Sequence, residues 1–266
     1  MNTNDIAQNG GRKAPAFAYD GYGERARIGL IFMASSVVME NEMWAMAPRG
    51  VSVHTTRIKL PKVNVEGIQA MMDAPQLEEA ARLLASAPID VLCFGGTSGS
   101  FLHGTAYDEA LTAKLKNWAP GIAVNTASTG SLAALKALDV GPVVLATPYV
   151  DAVHERAIRW LGENGHEVLA SDNLRIDEDQ ALAEVPLEKI FDMVCAMDHP
   201  DAEAVFISCT NFRSAAVIGA LEEELGKPVV SAVQASFWHA LRLAGVEDDC
   251  PDYGRLFRCG LPGVGA

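Results

Sequence analysis

The feature that most limits how this chain can fold is a sequence plan that it follows twice. The segment Asp90-Val-Leu-Cys-Phe-Gly-Gly-Thr-Ser-Gly-Ser100 has a counterpart in Glu203-Ala-Val-Phe-Ile-Ser-Cys-Thr-Asn-Phe-Arg213. In each segment an apolar strand pattern runs into a turn of small residues, and a helical pattern follows. Two passes through one plan predict two similar lobes related by a pseudo-twofold axis.

Short β-branched runs alternate with longer segments of helical periodicity from Ile28 onward. This alternation is typical of βαβ units and predicts an α/β fold, with a Rossmann-like, four-stranded and mostly parallel sheet in each lobe. The predicted strands are Ile28–Phe32, Val51–Leu60, Val91–Phe94, Ile122–Asn125, Val143–Ala146, Val168–Ser171, Val205–Ser208 and Val229–Ser231. The predicted helices are Gln69–Ala85, Ala106–Trp118, Ser128–Ala137, Val150–Asn164, Leu187–Ala196, Ser214–Leu225 and Ala235–Ala244.

The same reasoning divides the chain into an arm and two lobes. Residues 1–23 are expected to form a flexible arm, residues 24–118 together with 234–266 the first lobe, and residues 119–233 the second lobe. In open α/β sheets the ligand lies outside the carboxyl ends of the strands. Because the two small-residue turns follow such strand ends, the active site is expected in the cleft between the lobes.

Charge and hydropathy exclude several classes of partner. The formal charge of -13, from 21 basic and 34 acidic residues, repels nucleic acid and anionic membrane surfaces. No apolar run approaches the roughly 18 residues that a membrane span needs, and the polar start Met1 to Gly23 lacks the apolar region of a signal peptide. A cytoplasmic protein is expected, and a homo-oligomer is expected from how often soluble proteins form one.

The cysteines and histidines do not form a pattern that indicates a metal site. The chain has five cysteines without CxxC spacing, which favours reduced thiols over a disulfide framework. The six histidines show neither HxxxH nor HxH spacing, so no metal is predicted.

Cys209 is the cysteine whose position indicates chemistry. It follows a strongly apolar strand and precedes a predicted helix start, where free N–H groups lower the pKa of a thiol. A free cysteine is also commonly a small buried apolar side chain, and position alone does not decide between these two interpretations. The repeat favours the functional one.

Two further strand ends carry polar groups. In the turn Gly95–Ser100, the glycines allow close approach of a ligand, and the hydroxyls of Thr97 and Ser98 can donate to an anion. The alternative is a plain turn, and the sequence lacks the lysine of a nucleotide-binding loop. Tyr149 offers a phenol at the end of another strand, or else an aromatic ring packed under a loop.

Several short motifs in the correct order resemble the Asp/Glu racemase superfamily, in particular its branch of arylmalonate decarboxylases and maleate isomerases. The resemblance covers Ile28 to Phe257. Its motifs are Ile28-Gly-Leu-Ile31, Gly96-Thr-Ser-Gly-Ser-Phe101, Leu145-Ala-Thr-Pro-Tyr-Val-Asp151, Ser208-Cys209-Thr210, Val229-Val-Ser231 and Asp252-Tyr-Gly-Arg-Leu-Phe257.

The resemblance implies a role for the repeated turns. Racemases and isomerases of this superfamily use one cysteine at each turn, whereas this chain has Gly96 at the first turn and Cys209 at the second, as arylmalonate decarboxylases do. By this resemblance, Thr97, Ser98, Tyr149 and the backbone of Thr210 form a dioxyanion hole for an enediolate. Cys209 then protonates that intermediate. The implied reaction is the cofactor-independent decarboxylation of a small α-substituted malonate-type dicarboxylate.

The chain also departs from both groups. Maleate isomerases carry Pro-Ser-Ser-Asn where this chain has Ala34-Ser35-Ser36-Val37, and decarboxylases carry prolines nearby. Ser35 is the candidate substrate-binding residue there. Thr210 after the cysteine resembles the isomerases. A maleate-type isomerase or racemase with one cysteine is therefore the alternative, followed by a non-catalytic carboxylate-binding protein.

Overall fold

The computed structural model describes residues 22–263, and its strands form two parallel four-stranded sheets. The strand orders are β2-β1-β3-β4 and β6-β5-β7-β8, so the second sheet repeats the first with each number raised by four. The strands are β1 Ala26–Met33, β2 Val51–Ile58, β3 Val91–Phe94, β4 Ala123–Thr126, β5 Val143–Thr147, β6 Val168–Asn173, β7 Ala204–Ile207 and β8 Val229–Ser231. The predicted α/β fold with two similar sheets is confirmed.

Helices connect the strands and cover the sheets. They are α1 Val38–Met46, α2 Val65–Asp73, α3 Gln76–Ala85, α4 Thr97–Phe101, α5 Thr105–Trp118, α6 Ala127–Ala137, α7 Asp151–Glu163, α8 Asp179–Ala183, α9 Leu187–Ala196, α10 Ile218–Leu225 and α11 Ala232–Leu243. The central strands β3 and β7 are fully buried and entirely apolar, as strands covered on both faces must be. No helix within residues 22–263 is long and apolar enough to cross a membrane.

Helices α6 and α11 pack against each other between the two sheets. Both begin with a capping box: Thr126 and Thr129 exchange hydrogen bonds at α6, as Ser231 and Gln234 do at α11. The repeat thus extends to the helix caps. Gly130 of α6 allows the close approach, because a β-carbon there would lie 3.0 Å from Cα of Ser236 in α11.

The structure differs from the sequence-based expectation at several places. Strand β4 (Ala123–Thr126), in the range predicted for the second lobe, pairs in parallel with β3 of the first sheet. The other lobe boundaries remain a prediction. The predicted helix Gln69–Ala85 is two helices, because the residue before Pro75 is extended. Helix α1, Val38–Met46, was not predicted. Of the predicted arm, residues 1–21 lie outside the described residues.

Candidate active site

The two repeated turns face each other across the cleft between the sheets. The first follows β3 and contains Gly95 and Gly96, and the second follows β7 and contains Cys209 and Thr210. The Thr210 hydroxyl donates a hydrogen bond of 2.6 Å to the carbonyl oxygen of Gly95. This buried contact joins residues 115 positions apart and holds the turns in fixed relation.

A small, partly open cavity lies between these turns. Its free volume is about 20 Å³, room for about one water molecule. The lining residues are Met33, Ser36, Leu60, Val63, Met71, Gly96, Thr97, Ser98, Tyr149, Asp179, Leu182, Cys209, Thr210 and Asn211. The structure therefore brings together six of the seven predicted site residues. The seventh, Ser35, lies beside the cavity, and its neighbour Ser36 is the serine that lines it.

Cys209 is buried in the cavity wall, with 5% of its surface exposed. Its backbone φ of 139° is a value that side-chain-bearing residues rarely adopt, and such conformations cluster at functional sites. Burial raises the pKa of the thiol to about 12, despite the N–H of Asn211, which donates to Sγ over 3.4 Å. The negative charge of Asp179 also raises this pKa, whereas the Tyr149 hydroxyl lowers it. The thiol is therefore held neutral and carries a proton.

The expected lowering of the Cys209 pKa by a helix start is wrong. No helix begins at this turn: a 3-10 turn spans Ala215–Val217, and α10 begins at Ile218. The charge of the helix end falls off within one turn and does not reach Sγ. Desolvation therefore dominates, and it favours the uncharged thiol.

Gly96 leaves the opposite turn without a side chain. A β-carbon added there would lie 2.6 Å from Cζ of Phe94 and 2.9 Å from Cε of Met33. Both distances are shorter than real contacts of a β-carbon. The space that a second thiol needs is thus filled by Phe94 and Met33, and the cavity carries a proton donor on one side.

The polar groups of the cavity are suited to binding an anion without a cation. Thr97 Oγ1 is buried and has no hydrogen-bond partner among the described residues. Thr97 and Ser98 also form the first turn of α4, where N–H groups lack intrahelical acceptors. No lysine, arginine or histidine is among the lining residues that the structure describes. Neutral donors must therefore hold any bound carboxylate.

Tyr149 follows β5 and completes this set of donors. Its ring is 1% exposed and packs edge-on against Phe101, with 6.2 Å between the ring centroids. Burial raises the pKa of its hydroxyl well above the ordinary value, and the neighbouring Cys209 raises it further. The nearby side chains of Ser208 and Thr97 lower this pKa by a smaller amount. It is a neutral donor placed beside the thiol.

Known proteins resemble this chain over most of its length. A family model described as arylmalonate decarboxylase matches residues 28–257, which is most of the chain. The chain belongs to the arylmalonate decarboxylase family.

Relatives of this family member carry two names. It is 37% identical to arylmalonate decarboxylase of Bordetella bronchiseptica over 74% of this chain and 82% of that protein. It is 27% identical to maleate isomerase of Nocardia farcinica (strain IFM 10152) over 87% of this chain and 95% of that protein. A liganded arylmalonate decarboxylase structure, with a glycine replaced by cysteine and a cysteine by serine, superposes with a TM-score of 0.80. That structure is 31% identical, with 87% of this chain and 98% of that chain covered.

The sequence did not indicate one charged residue that lines the cavity. Asp179, the first residue of α8, lines the cavity and accepts hydrogen bonds from the hydroxyls of Ser35 (2.6 Å) and Ser36 (2.7 Å). Asn211, in the turn of Cys209, donates from Nδ2 to the Asp179 carbonyl oxygen. Its Oδ1 accepts from the N–H groups of Val37 and Val38 at the start of α1. Asp179 lies in a polar connection without a motif, so no sequence signal marks it.

The other four cysteines lie outside the lining of this cavity. Cys93 is buried in β3, and Cys195, Cys250 and Cys259 are half-buried; all five cysteines are free thiols. Among residues 22–263, no group of three or more His, Cys, Asp or Glu side chains is placed to hold a metal ion.

Proposed function

We propose that this family member is a cofactor-independent decarboxylase of an α-substituted malonate-type dicarboxylic acid. The observation that carries the proposal is the single thiol of the cavity. Among the described lining residues only Cys209 bears a thiol, and Gly96 on the facing turn brings no group that carries a proton. A two-base racemisation needs a proton donor on each face, whereas decarboxylation needs one protonation on one face.

The donors of the cavity hold the first carboxylate of the substrate in this proposal. The proposal assigns this role to Thr97, Ser98, Tyr149 and the N–H of Thr210, which line the cavity, and the same donors then stabilise the enediolate. Thr97, Tyr149 and Thr210 are buried, and the lower dielectric around buried groups strengthens their hydrogen bonds. Removing one such donor from an enzyme typically costs about 3 to 4 kcal/mol of transition-state stabilisation.

The second carboxylate leaves as carbon dioxide. The bond between it and the α-carbon breaks, and the electron pair passes into the enediolate. Much of the remaining cavity wall is apolar, with Leu60, Val63 and Leu182, and an apolar surrounding favours neutral carbon dioxide over a carboxylate. The Sγ–H of Cys209 then donates its proton to the α-carbon, and the thiolate recovers a proton from water. The raised pKa of Cys209 keeps that proton in place beforehand.

The test is the release of carbon dioxide from a panel of substituted malonates without any added cofactor. Purified protein is expected to decarboxylate at least one of them, and Cys209→Ala is expected to lower the rate roughly 100- to 10,000-fold, the usual worth of a general acid. Cys195→Ala is the matched control, since that half-buried thiol lies outside the cavity. No turnover across a broad panel would overturn the proposal.

The second candidate function is isomerisation of a maleate-type diacid by Cys209 alone. It is supported by the maleate isomerases among the relatives and by Thr210 after the cysteine. Conversion of maleate to fumarate by the purified protein would support it, and its absence would remove it.

A cytoplasmic location and a homo-oligomer remain predictions.

A further inference from the structure

Asp179 is the one charged side chain among the described residues that line the cavity, and the proposed reaction does not use it. It is 7% exposed. Buried carboxylates are uncommon unless they are paired or hydrogen-bonded, because desolvation of a charge is costly. This carboxylate lies in a site that must accept a dicarboxylate, so its presence limits which substrates fit.

The contacts of Asp179 fix it and leave one oxygen available. The hydroxyls of Ser35 and Ser36 both donate to Oδ2, and Asn211 anchors the backbone carbonyl. Both hydroxyl hydrogen bonds use Oδ2, and each carboxylate oxygen has acceptor sites of its own, so Oδ1 can accept a further donor. No residue within 22–263 donates to Oδ1, and that oxygen is not sealed in by protein atoms, unlike Thr97 Oγ1.

The charge of Asp179 determines what can lie against Oδ1. A substrate carboxylate there would place two negative charges side by side in a site of low dielectric, and the lining residues provide no cation to offset them. Both carboxylates of a bound malonate are therefore expected to lie away from Oδ1. The group that meets Oδ1 favourably is a hydroxyl or an ammonium group, since each donates a hydrogen bond to it.

We propose that Asp179 is a specificity-determining residue that selects substrates with a hydroxyl or ammonium group on the α-carbon. This inference rests on the proposed decarboxylase function and adds the class of substituent. A methyl group in the same place leaves Oδ1 desolvated without a donor. A site built to bind a substrate hydroxyl discriminates strongly against the analogue that lacks it.

The test compares substrates that differ in one group. We expect wild-type protein to favour 2-hydroxy-2-phenylmalonate over 2-methyl-2-phenylmalonate by about tenfold to a hundredfold in kcat/KM, the usual worth of a hydrogen bond to a charged group. Asp179→Val should abolish or reverse this ratio. Asp177→Val is the matched control, because Asp177 pairs with Lys62 at the surface, and it should keep the wild-type ratio. A wild-type preference for the methyl substrate, or an unchanged ratio in Asp179→Val, would overturn the inference.

Two further measurements separate this inference from the proposed function. If no malonate releases carbon dioxide, the decarboxylase proposal fails, and calorimetric binding then decides the role of Asp179. Hydroxymalonate should bind about tenfold or more tightly than methylmalonate to wild type and lose this advantage in Asp179→Val; equal affinities in wild type would overturn the inference.

If Asp179→Val does not fold, Asp179→Asn replaces it, with aminomalonate against methylmalonate as the pair. Loss of the preference for the ammonium group supports the inference, and its retention overturns it.

Discussion

At the scale of single residues, the proposed reaction depends on the thiol of Cys209, which burial keeps protonated. Cys209 combines an unusual backbone φ of 139° with a pKa raised to about 12. A neutral thiol is a poor nucleophile, because the thiolate is the reactive form. It is instead a proton donor, and the thiolate left after donation is a strong base that regains a proton from water. This property supports the proposed role of Cys209 as the group that protonates the intermediate.

This property predicts how the cysteines react. With iodoacetamide at pH 8, we expect native Cys209 to be alkylated roughly tenfold or more slowly than the half-buried Cys195, Cys250 and Cys259, because little of it is thiolate. Peptide mass spectrometry measures all of these rates in one sample. In denaturant the differences should disappear, which controls for local sequence. Preferential alkylation of native Cys209 at pH 7 would contradict the raised pKa.

The position of Cys209 could be predicted from the sequence more accurately than its pKa or the residues around it. Cys209 and Gly96 were identified because the repeat aligns their turns, and a repeat carries information about two distant places at once. The pKa was predicted in the wrong direction, because the length of the loop between Cys209 and Ile218 is not evident from residue types. Asp179 was missed altogether, since only the folded chain brings it within hydrogen-bond distance of Ser35 and Ser36.

At the scale of elements, the close pair α6 and α11 joins the two halves. Both helices begin directly after the last strand of a sheet, and both have a capping box. At Gly130 the backbones approach so closely that a β-carbon would meet Cα of Ser236 at 3.0 Å and the carbonyl oxygen of Ala235 at 3.1 Å. Those atoms belong to a helix backbone and cannot move aside like the end of a side chain.

Gly130→Ala should therefore destabilise the protein although alanine is the better helix former. We expect a loss of about 1 to 3 kcal/mol in the free energy of unfolding from overpacking. Gly162→Ala in α7 is the matched control, because nothing lies within 4 Å of its added β-carbon, and it should gain up to about 1 kcal/mol. Denaturant titration measures both. Equal stabilisation by the two substitutions would refute the close contact.

Element prediction was most accurate where periodicity is strong. Every predicted strand is present, since short apolar runs between turns identify buried parallel strands. Two exceptions, both in helices, have local causes. Pro75 divides one predicted helix into α2 and α3, and α1 begins directly after Val37 without a side-chain cap. The pairing of β4 with β3 depends on contacts between strands, which the pattern along one strand does not specify.

At the scale of the whole molecule, the carboxylate of Glu42 joins α1 of the first half to the segment that follows the turn of Cys209. Glu42 Oε1 accepts hydrogen bonds from the N–H groups of Ser214 (3.0 Å) and Ala215 (3.2 Å), and Oε2 is buried without a partner. Burial raises the pKa of Glu42 from 4.5 to about 7, although these N–H groups and Arg213 lower it. The folded protein therefore binds a proton here more tightly than the unfolded chain.

The sign of the pH effect follows from this raised pKa. The stability that protonated Glu42 contributes is fully present below pH 4.5 and is lost as the pH rises through about 7. Between these values, wild type should lose roughly 1 to 3 kcal/mol relative to Glu42→Gln, which cannot ionise. Unfolding titrations at several pH values measure the difference. Glu223→Gln, at an exposed position of α10, should follow wild type; identical pH profiles for wild type and Glu42→Gln would contradict the prediction.

The most direct test of the central claim, one-sided protonation by Cys209 after loss of carbon dioxide, is decarboxylation in deuterium oxide. A malonate that the protein accepts, with two different substituents on its α-carbon, is converted, and the product is analysed for isotope content and optical purity. We predict one deuterium on the α-carbon, an excess of one enantiomer, and no further exchange of isolated product returned to the enzyme. A racemic product, or racemisation of isolated product returned to the enzyme, would show protonation from both faces and contradict one-sided protonation by Cys209.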